Sequence, residues 1–391
     1  MTRVRRAVVR QLASIGQTFF VYNPWVGVAA IVVLAVAAPH LAIAGTIASV
    51  FARIVAVSVG APQAFLDTGL VELNGWYLGL ACATFFAVGP GLAVSILLGG
   101  ALVALMAMAM HRVLAVWEVP LVIGPYVPVF WLLWSALATL AWTRPAALPA
   151  MPAPPDSPLL LVLLGGLRGV GQILFLPNAA AGAALAVVAS IGDRWLGLAM
   201  VGASVAAVGV GYLAGTPAWQ VETGLAGFTA ALIAAAAVRR FAGIGLPAAV
   251  ITVLTIPFLE VAAVRLAGAV GLHALSAPYV GLVWIFSLVH RPHDPDPSPL
   301  DRPAGRRRDG SREGDAGSPG AAWPRWAAEE RGRSTRLVPG RLDNTRSAEN
   351  VRDHAPDIGQ QRGRAARHAP VPGVSRAGER ATSDARAASP G

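Results

Sequence analysis

Apolar segments of roughly 18–22 residues recur throughout the first 290 positions of this chain. The chain has 391 residues and is 55% hydrophobic but only 13% charged, whereas a typical soluble domain carries about 25% charged residues. Twelve arginines and seven acidic residues lie in residues 1–290, and 19 arginines and 14 acidic residues lie in residues 291–391. This composition excludes a soluble enzyme and a protein with one membrane anchor. It predicts an all-α polytopic membrane protein.

Composition divides the chain into five parts. We predict a basic cytoplasmic N-terminus at residues 1–12 and a first membrane repeat at residues 13–142. A proline-rich extracytoplasmic linker at residues 143–158 leads to a second membrane repeat at residues 159–290, and residues 291–391 form a disordered cytoplasmic tail. The tail lacks apolar periodicity and cannot bury enough apolar surface to offset the entropy of ordering. The net charge of +10 is shared evenly by the membrane part and the tail, which speaks against nucleic acid as a partner.

Three blocks of residues recur in both halves in the same order. At an offset of 155, Leu12, Gly16, Gln17, Phe20, Asn23 and Gly27 return as Leu167, Gly171, Gln172, Phe175, Asn178 and Gly182, and residues 67–70 return as residues 222–225. At an offset of 153, Pro125, Tyr126, Val127 and Trp131 return as Pro278, Tyr279, Val280 and Trp284. A rival register for the third block, residues 255–258, needs an offset of 132 and would delete about 20 residues, a whole span. We therefore predict an internal repeat in the first register.

Each half contains five apolar spans. They lie near residues 25–42, 43–60, 73–90, 91–111 and 121–141 in the first half, and near residues 179–192, 196–214, 225–238, 246–266 and 274–289 in the second. Each half also opens with a shorter stretch, at residues 13–22 and 160–176, which we interpret as a re-entrant helix. An odd number of crossings inverts the second repeat relative to the first. With the N-terminus in the cytoplasm, the loops at Arg112, Arg194 and Arg239 also face the cytoplasm, as the positive-inside rule requires. The loops near residues 90, 215–222 and 270 lack arginine and fall outside. Inverted repeats that meet at the midplane are typical of transporters and channels.

The repeated glutamine and phenylalanine are the candidate pore residues. Gln17 with Phe20, and Gln172 with Phe175, would offer an amide and an aromatic face twice by symmetry, which suits a flat, neutral, hydrogen-bonding solute. The alternative is that both glutamines only bridge helices through hydrogen bonds. The second copy of the third block predicts a helix start near Ser276, whose hydroxyl would face the pore.

Few charges lie within the spans. Arg53, Glu260 and Arg265 are the candidates, and no acidic series runs along the pore segments, which argues against coupling to protons or sodium. The single Cys82 excludes an internal disulfide and a cysteine-rich metal site. The sequence has no nucleotide-binding glycine loop, metal-ligand spacing or nucleophile elbow, so we predict neither catalytic residues nor a metal or other cofactor.

The order of the blocks resembles the urea transporter family over about residues 12–290. That family has a Gln- or Glu-bearing pore helix followed by Phe and Asn, then a Gly-Leu-x-Gly-Phe-Asn block and a Leu-Thr-x-Pro-Phe block ahead of a Trp. The second half carries Gln172, Phe175, Gly224-Leu225-Ala226-Gly227-Phe228, Leu232, Leu275-Ser276-Ala277-Pro278-Tyr279 and Trp284. The first half carries Gln17, Phe20, Asn23, Gly69-Leu70, Leu73-Asn74-Gly75, Gly79 and Pro125-Tyr126.

The resemblance implies a homotrimer with one channel-like pore in each protomer that passes urea down its gradient. We predict that the protein lies in the bacterial inner membrane, and the arginine distribution predicts that both termini are cytoplasmic. It implies a slot between Phe228 and Leu73 and small residues at the narrowest point, here Ser276 and Ile123. The implied pore residues are Gln17, Phe20, Leu73, Tyr77, Ile123, Gln172, Phe175, Phe228, Leu232 and Ser276.

Several residues of this chain depart from the family pattern. Leu73 replaces a phenylalanine, Ile123 a threonine, Tyr77 a leucine and Thr229 an asparagine. One wall of the pore is therefore altered. Two alternatives follow: a channel for a short amide or another small neutral polar solute, and a non-transporting membrane scaffold whose basic tail recruits a partner.

Overall fold

The structure, a computed structural model, describes residues 3–147, 153–239 and 246–289. Within these ranges the chain is helical, apart from turns and one isolated β-bridge between Phe86 and Pro145. This confirms the predicted all-helical class. The tail that was predicted to be disordered lies outside the described residues.

The first half contains seven α-helices and one 3₁₀ turn. The helices are α1 Arg3–Gly16, α2 Pro24–Ala37, α3 Pro39–Ser58, α4 Gln63–Leu66, α5 Leu70–Phe85, α6 Pro90–Val116 and α7 Tyr126–Leu137, and the 3₁₀ turn Gln17–Phe19 follows α1. The basic segment at the N-terminus is therefore helical from Arg3 and runs directly into the candidate pore residues.

The second half contains the same elements in the same order. They are α8 Pro158–Gly171, the 3₁₀ turn Gln172–Leu174, α9 Ala179–Gly192, α10 Arg194–Leu213, α11 Ala218–Glu222, α12 Leu225–Arg239, α13 Leu246–Ala269 and α14 Ala277–Val289. The first five helices and the 3₁₀ turn of each half start 155 positions apart. The helices thus follow the register that was predicted from the repeated residues.

Four of these helices are long and apolar enough to cross a membrane: α3, α6, α10 and residues 247–269 of α13. Both α3 and α10 have 20 residues, which at 1.5 Å per residue equals the thickness of the hydrocarbon core, about 30 Å. Two further candidates are bent pairs, α1 with α2 at 75° and α8 with α9 at 68°. The described part of the chain therefore offers four to six spans by length and composition, and shorter apolar helices accompany them.

In the third block of the first half, the apolar pattern predicted a longer helix than the structure has. The apolar run at residues 121–141 predicted one span, but α7 covers only Tyr126–Leu137. Turns precede it, and Val122 has a φ of 41°, a backbone conformation that a helix does not permit. The predicted helix start near Ser276 is correct, since α14 begins at the next residue. Pro257 lies inside α13, so the rival register does not match a helix start.

Helices α1 and α2 cross at very short range because one residue at the crossing has no side chain. A Cβ atom on Gly27 would lie 1.8 Å from the carbonyl oxygen of Leu12, and one on Gly182 would lie 1.8 Å from that of Leu167. The two positions are 155 residues apart and serve the same crossing in each repeat. Glycine is therefore required there, as small residues are wherever membrane helices approach closely.

The two halves contact each other through equivalent elements. Helix α2 packs against α9, its own counterpart. The indole N–H of Trp131 donates to the carbonyl of His273 at 2.7 Å, and the indole N–H of Trp284 donates to the carbonyl of Pro120 at 3.0 Å. Each donor and each acceptor is 153 positions from its counterpart. Such reciprocal contacts are typical of two copies related by a two-fold axis.

We predict that Gly182→Ala lowers the thermal stability of the detergent-solubilised protein, at a cost of roughly 1–3 kcal/mol, because the added methyl group forces α8 and α9 apart. Differential scanning fluorimetry measures the change. Gly202→Ala is the matched control, because a Cβ atom at Gly202 meets nothing within 4 Å. Equal melting temperatures for the two variants would contradict the proposed close crossing.

Candidate functional site

The candidate site begins where α1 and α8 end. After each helix the chain makes a 3₁₀ turn and then places a phenylalanine in the left-handed region, with φ of 57° at Phe20 and 61° at Phe175. This conformation costs of order 1–3 kcal/mol for a bulky residue and persists only where the surroundings enforce it. The next helices begin at once, because Asn23 accepts from the N–H of Trp25 at 2.8 Å and Asn178 accepts from that of Ala181 at 3.0 Å. The strained turn is therefore a repeated feature of both halves.

The two predicted glutamines have equivalent hydrogen-bond partners in the two halves. The side-chain amide of Gln17 donates to the carbonyl of Thr68 at 2.6 Å, and that of Gln172 donates to the carbonyl of Thr223 at 3.2 Å. Gln17 is buried and Gln172 is half-buried. Both glutamines therefore join the end of one helix to the start of α5 or α12, which is the bridging role that the sequence left open. Contact with a solute remains a prediction.

The other candidate pore residues lie in one apolar cluster that draws on both halves. Its buried members include Leu73, Tyr77, Ile123, Phe228 and Leu232, and Phe20 and Phe175 pack against it. Leu73 and Phe228 thus share the interior, but that they face each other across a slot remains a prediction.

Tyr126 also lies in this region. The sequence analysis assigned it to the third repeated block but not to the pore. It is fully buried, its ring stacks on that of Tyr77 with 5.4 Å between centroids, and its hydroxyl lies 2.5 Å from the hydroxyl of Ser276. The N–H of Ser276 also donates to the Tyr126 oxygen at 3.2 Å. The only available signal was tyrosine at a place where the family pattern has phenylalanine.

An asparagine on α5 holds Tyr126 in position. The side-chain oxygen of Asn74 accepts from the N–H of Tyr126 at 3.2 Å, and its amide nitrogen donates to the carbonyls of Leu70 and Val122 at 2.8 and 2.9 Å. The equivalent residue in the second half is Thr229, whose hydroxyl instead donates to the buried carboxyl group of Glu260. The departure from asparagine to threonine therefore removes one anchor of the third block in the second half.

Two ion pairs lie beside the start of α5. Arg53 on α3 bonds to the fully buried Glu72 on α5, and Arg10 on α1 lies 2.8 Å from Asp67. Arg53 was a candidate charge within a span, and its partner follows from the packing of α3 on α5. Pairing offsets the cost of burying the Glu72 carboxylate.

Aromatic rings surround His273 in the segment between α13 and α14. Its ring stacks on Phe85 at 3.9 Å between centroids and meets Trp134 edge-on at 4.7 Å. Burial among these rings lowers the pKa of His273, because the charged form loses hydration. The C-terminal ends of α5 and α7 therefore meet the segment after α13.

Together, the recurring apolar helices and the two bent pairs define a polytopic helical membrane protein. The urea transporter family model matches residues 8–291, which include both repeats. The chain belongs to the urea transporter family, a family of transporters and not of enzymes. No curated protein matches the sequence.

We predict that Arg53→Met destabilises the protein by roughly 3 kcal/mol, because it leaves the carboxylate of Glu72 buried and unpaired. The double variant Arg53→Met/Glu72→Leu is expected to regain most of this loss, since both desolvated charges are then gone. Melting temperatures in one detergent measure the three proteins. A double variant as unstable as the single one would show that the pair does not act as a unit.

Proposed function

We propose that this protein passes urea down its gradient through a channel-like route between two inverted repeats. The observation that carries the proposal is the family match over both repeats, around a buried and largely uncharged cluster. No covalent chemistry is required. Selectivity would come from the width of the route and the placement of hydrogen-bonding groups.

Contacts between the ends of helices support the inversion. Helices α5 and α6 are joined by a short loop and pack together, so the C-terminal end of α6 lies opposite that of α5. His273, just after α13, stacks on Phe85 at the C-terminal end of α5. The C-terminal end of α13 therefore lies at the opposite end of the helix bundle from the C-terminal end of its counterpart α6, as inversion requires.

Further contacts agree with the sidedness that the arginines predict. The start of the linker bonds to the chain at the end of α5. The backbone N–H of Ala87 donates to the carbonyl of Arg144, and that of Ala146 donates to the carbonyl of Phe85, both at 2.8 Å. Both segments were assigned to the outside. Arg239, at the end of α12, lies 3.6 Å from Asp193, and both were assigned to the cytoplasm.

The assembly and location follow from the same proposal. We infer an integral protein of the bacterial inner membrane that forms homotrimers and has both termini in the cytoplasm. The family is the support for the trimer, and exposed apolar side chains such as Val36, Leu198 and Leu266 suit contact with lipid or with another protomer.

A second candidate is a channel for another small neutral solute, such as a short amide. The phenols of Tyr77 and Tyr126 favour it, because they place polar groups in a wall that is apolar in the family pattern. Acetamide therefore belongs in any test of selectivity.

Stopped-flow measurement of proteoliposomes with urea, acetamide and glycerol tests the proposal. We expect urea flux that rises linearly with the gradient, and a roughly tenfold lower flux in Gln172→Leu, because the amide hydrogen bond to Thr223 is lost. Gln63→Leu, at an exposed position on α4, is the control. Flux for acetamide but not urea would favour the second candidate, and no flux for any solute would refute transport.

A further inference from the structure

A hydrogen bond between two side chains joins the two halves beside the apolar cluster. Tyr126 belongs to α7 of the first repeat, and Ser276 immediately precedes α14 of the second. Tyr126 is fully buried and Ser276 is 1% exposed. Their hydroxyls are 2.5 Å apart, at the short end of the range for a hydroxyl–hydroxyl bond, and the N–H of Ser276 adds a second bond to the same phenol oxygen at 3.2 Å.

The position of the phenol is set from both sides. Asn74 accepts from the backbone N–H of Tyr126, and the ring of Tyr77 stacks on its face. A ring held in this way has little freedom to turn away from Ser276. Because Tyr126 accepts from the N–H at the start of α14, it also satisfies a donor that has no partner within that helix.

The repeat does not reproduce this contact. Position 123 is the counterpart of Ser276 and is an isoleucine, so Tyr279, the counterpart of Tyr126, has no hydroxyl to meet there. Tyr279 instead approaches Phe20, edge-on at 6.5 Å between centroids. The Tyr126–Ser276 pair is therefore a feature of one side of the interface, at the serine that the family resemblance assigns to the narrowest point.

We propose that Tyr126 restricts the passage by occupying the hydroxyl of Ser276, so that a solute crosses only by replacing this hydrogen bond with its own. This inference rests on the proposed function and adds a residue to it. Each hydroxyl can both donate and accept. The pair therefore selects small planar solutes that carry both N–H donors and a carbonyl acceptor, such as urea and primary amides.

The test measures urea and acetamide permeability of proteoliposomes that contain Tyr126→Phe. The variant keeps the stacked ring and loses only the hydroxyl. Since a hydrogen bond of this kind contributes about 1 kcal/mol net, its loss should raise permeability to both solutes roughly fivefold. Ser276→Ala added to Tyr126→Phe should give no further rise, because the same bond is already absent. Tyr212→Phe, on the exposed end of α10, is the matched control.

The outcomes separate this inference from the proposed function. A wild-type protein that conducts urea, with Tyr126→Phe equal to or slower than Tyr212→Phe, overturns the role of Tyr126 and leaves urea transport in place. A further rise in the double variant also overturns it. A wild-type protein that conducts neither solute, with a Tyr126→Phe variant that conducts, supports the inference. If neither conducts although both melt at the same temperature, the proposed function fails and the inference with it.

Discussion

The need to pair every backbone polar group inside a bilayer governs this structure. Two helices end within the apolar part of the chain, at Gly16 and Gly171, and each leaves carbonyl and N–H groups that the helix itself does not pair. At each break the chain forms a 3₁₀ turn, an asparagine caps the next helix, and the side chain of a glutamine donates to a threonine carbonyl. A broken helix is tolerated at membrane depth only where such groups find partners, and breaks of this kind are where transporters hold their solutes.

The two repeats share this framework but differ in how they hold the third block. In the first repeat Asn74 binds the turn before α7, whereas in the second repeat Thr229 is too short for that role and bonds to Glu260. Tyr126 supplies a different contact to the second repeat, because its hydroxyl accepts from the N–H of Ser276 just before α14. The first repeat therefore bonds to the third block of both halves, through Asn74 and through Tyr126.

Much of the fold could be predicted from the sequence, because the repeat and the hydrophobic lengths are local patterns. The offset of 155 correctly predicts the starts of five pairs of helices, and Pro278 correctly predicts the start of α14. The prediction failed where apolar residues form turns, as at residues 121–125, since hydrophobicity alone does not distinguish a buried turn from a buried helix. The partner of Arg53 was also missed, because Glu72 is 19 positions away along the chain.

By itself, the sequence determined the class of protein, the two repeats and the residues at the breaks, because lipid imposes length and composition on each segment separately. Only the tertiary structure decided which hydroxyls and carbonyls pair across the repeats. The bond between Tyr126 and Ser276 joins positions 150 residues apart, and neither residue type demands the other. Their pairing depends on how α7 and α14 approach each other, and that approach is a property of the whole helix arrangement.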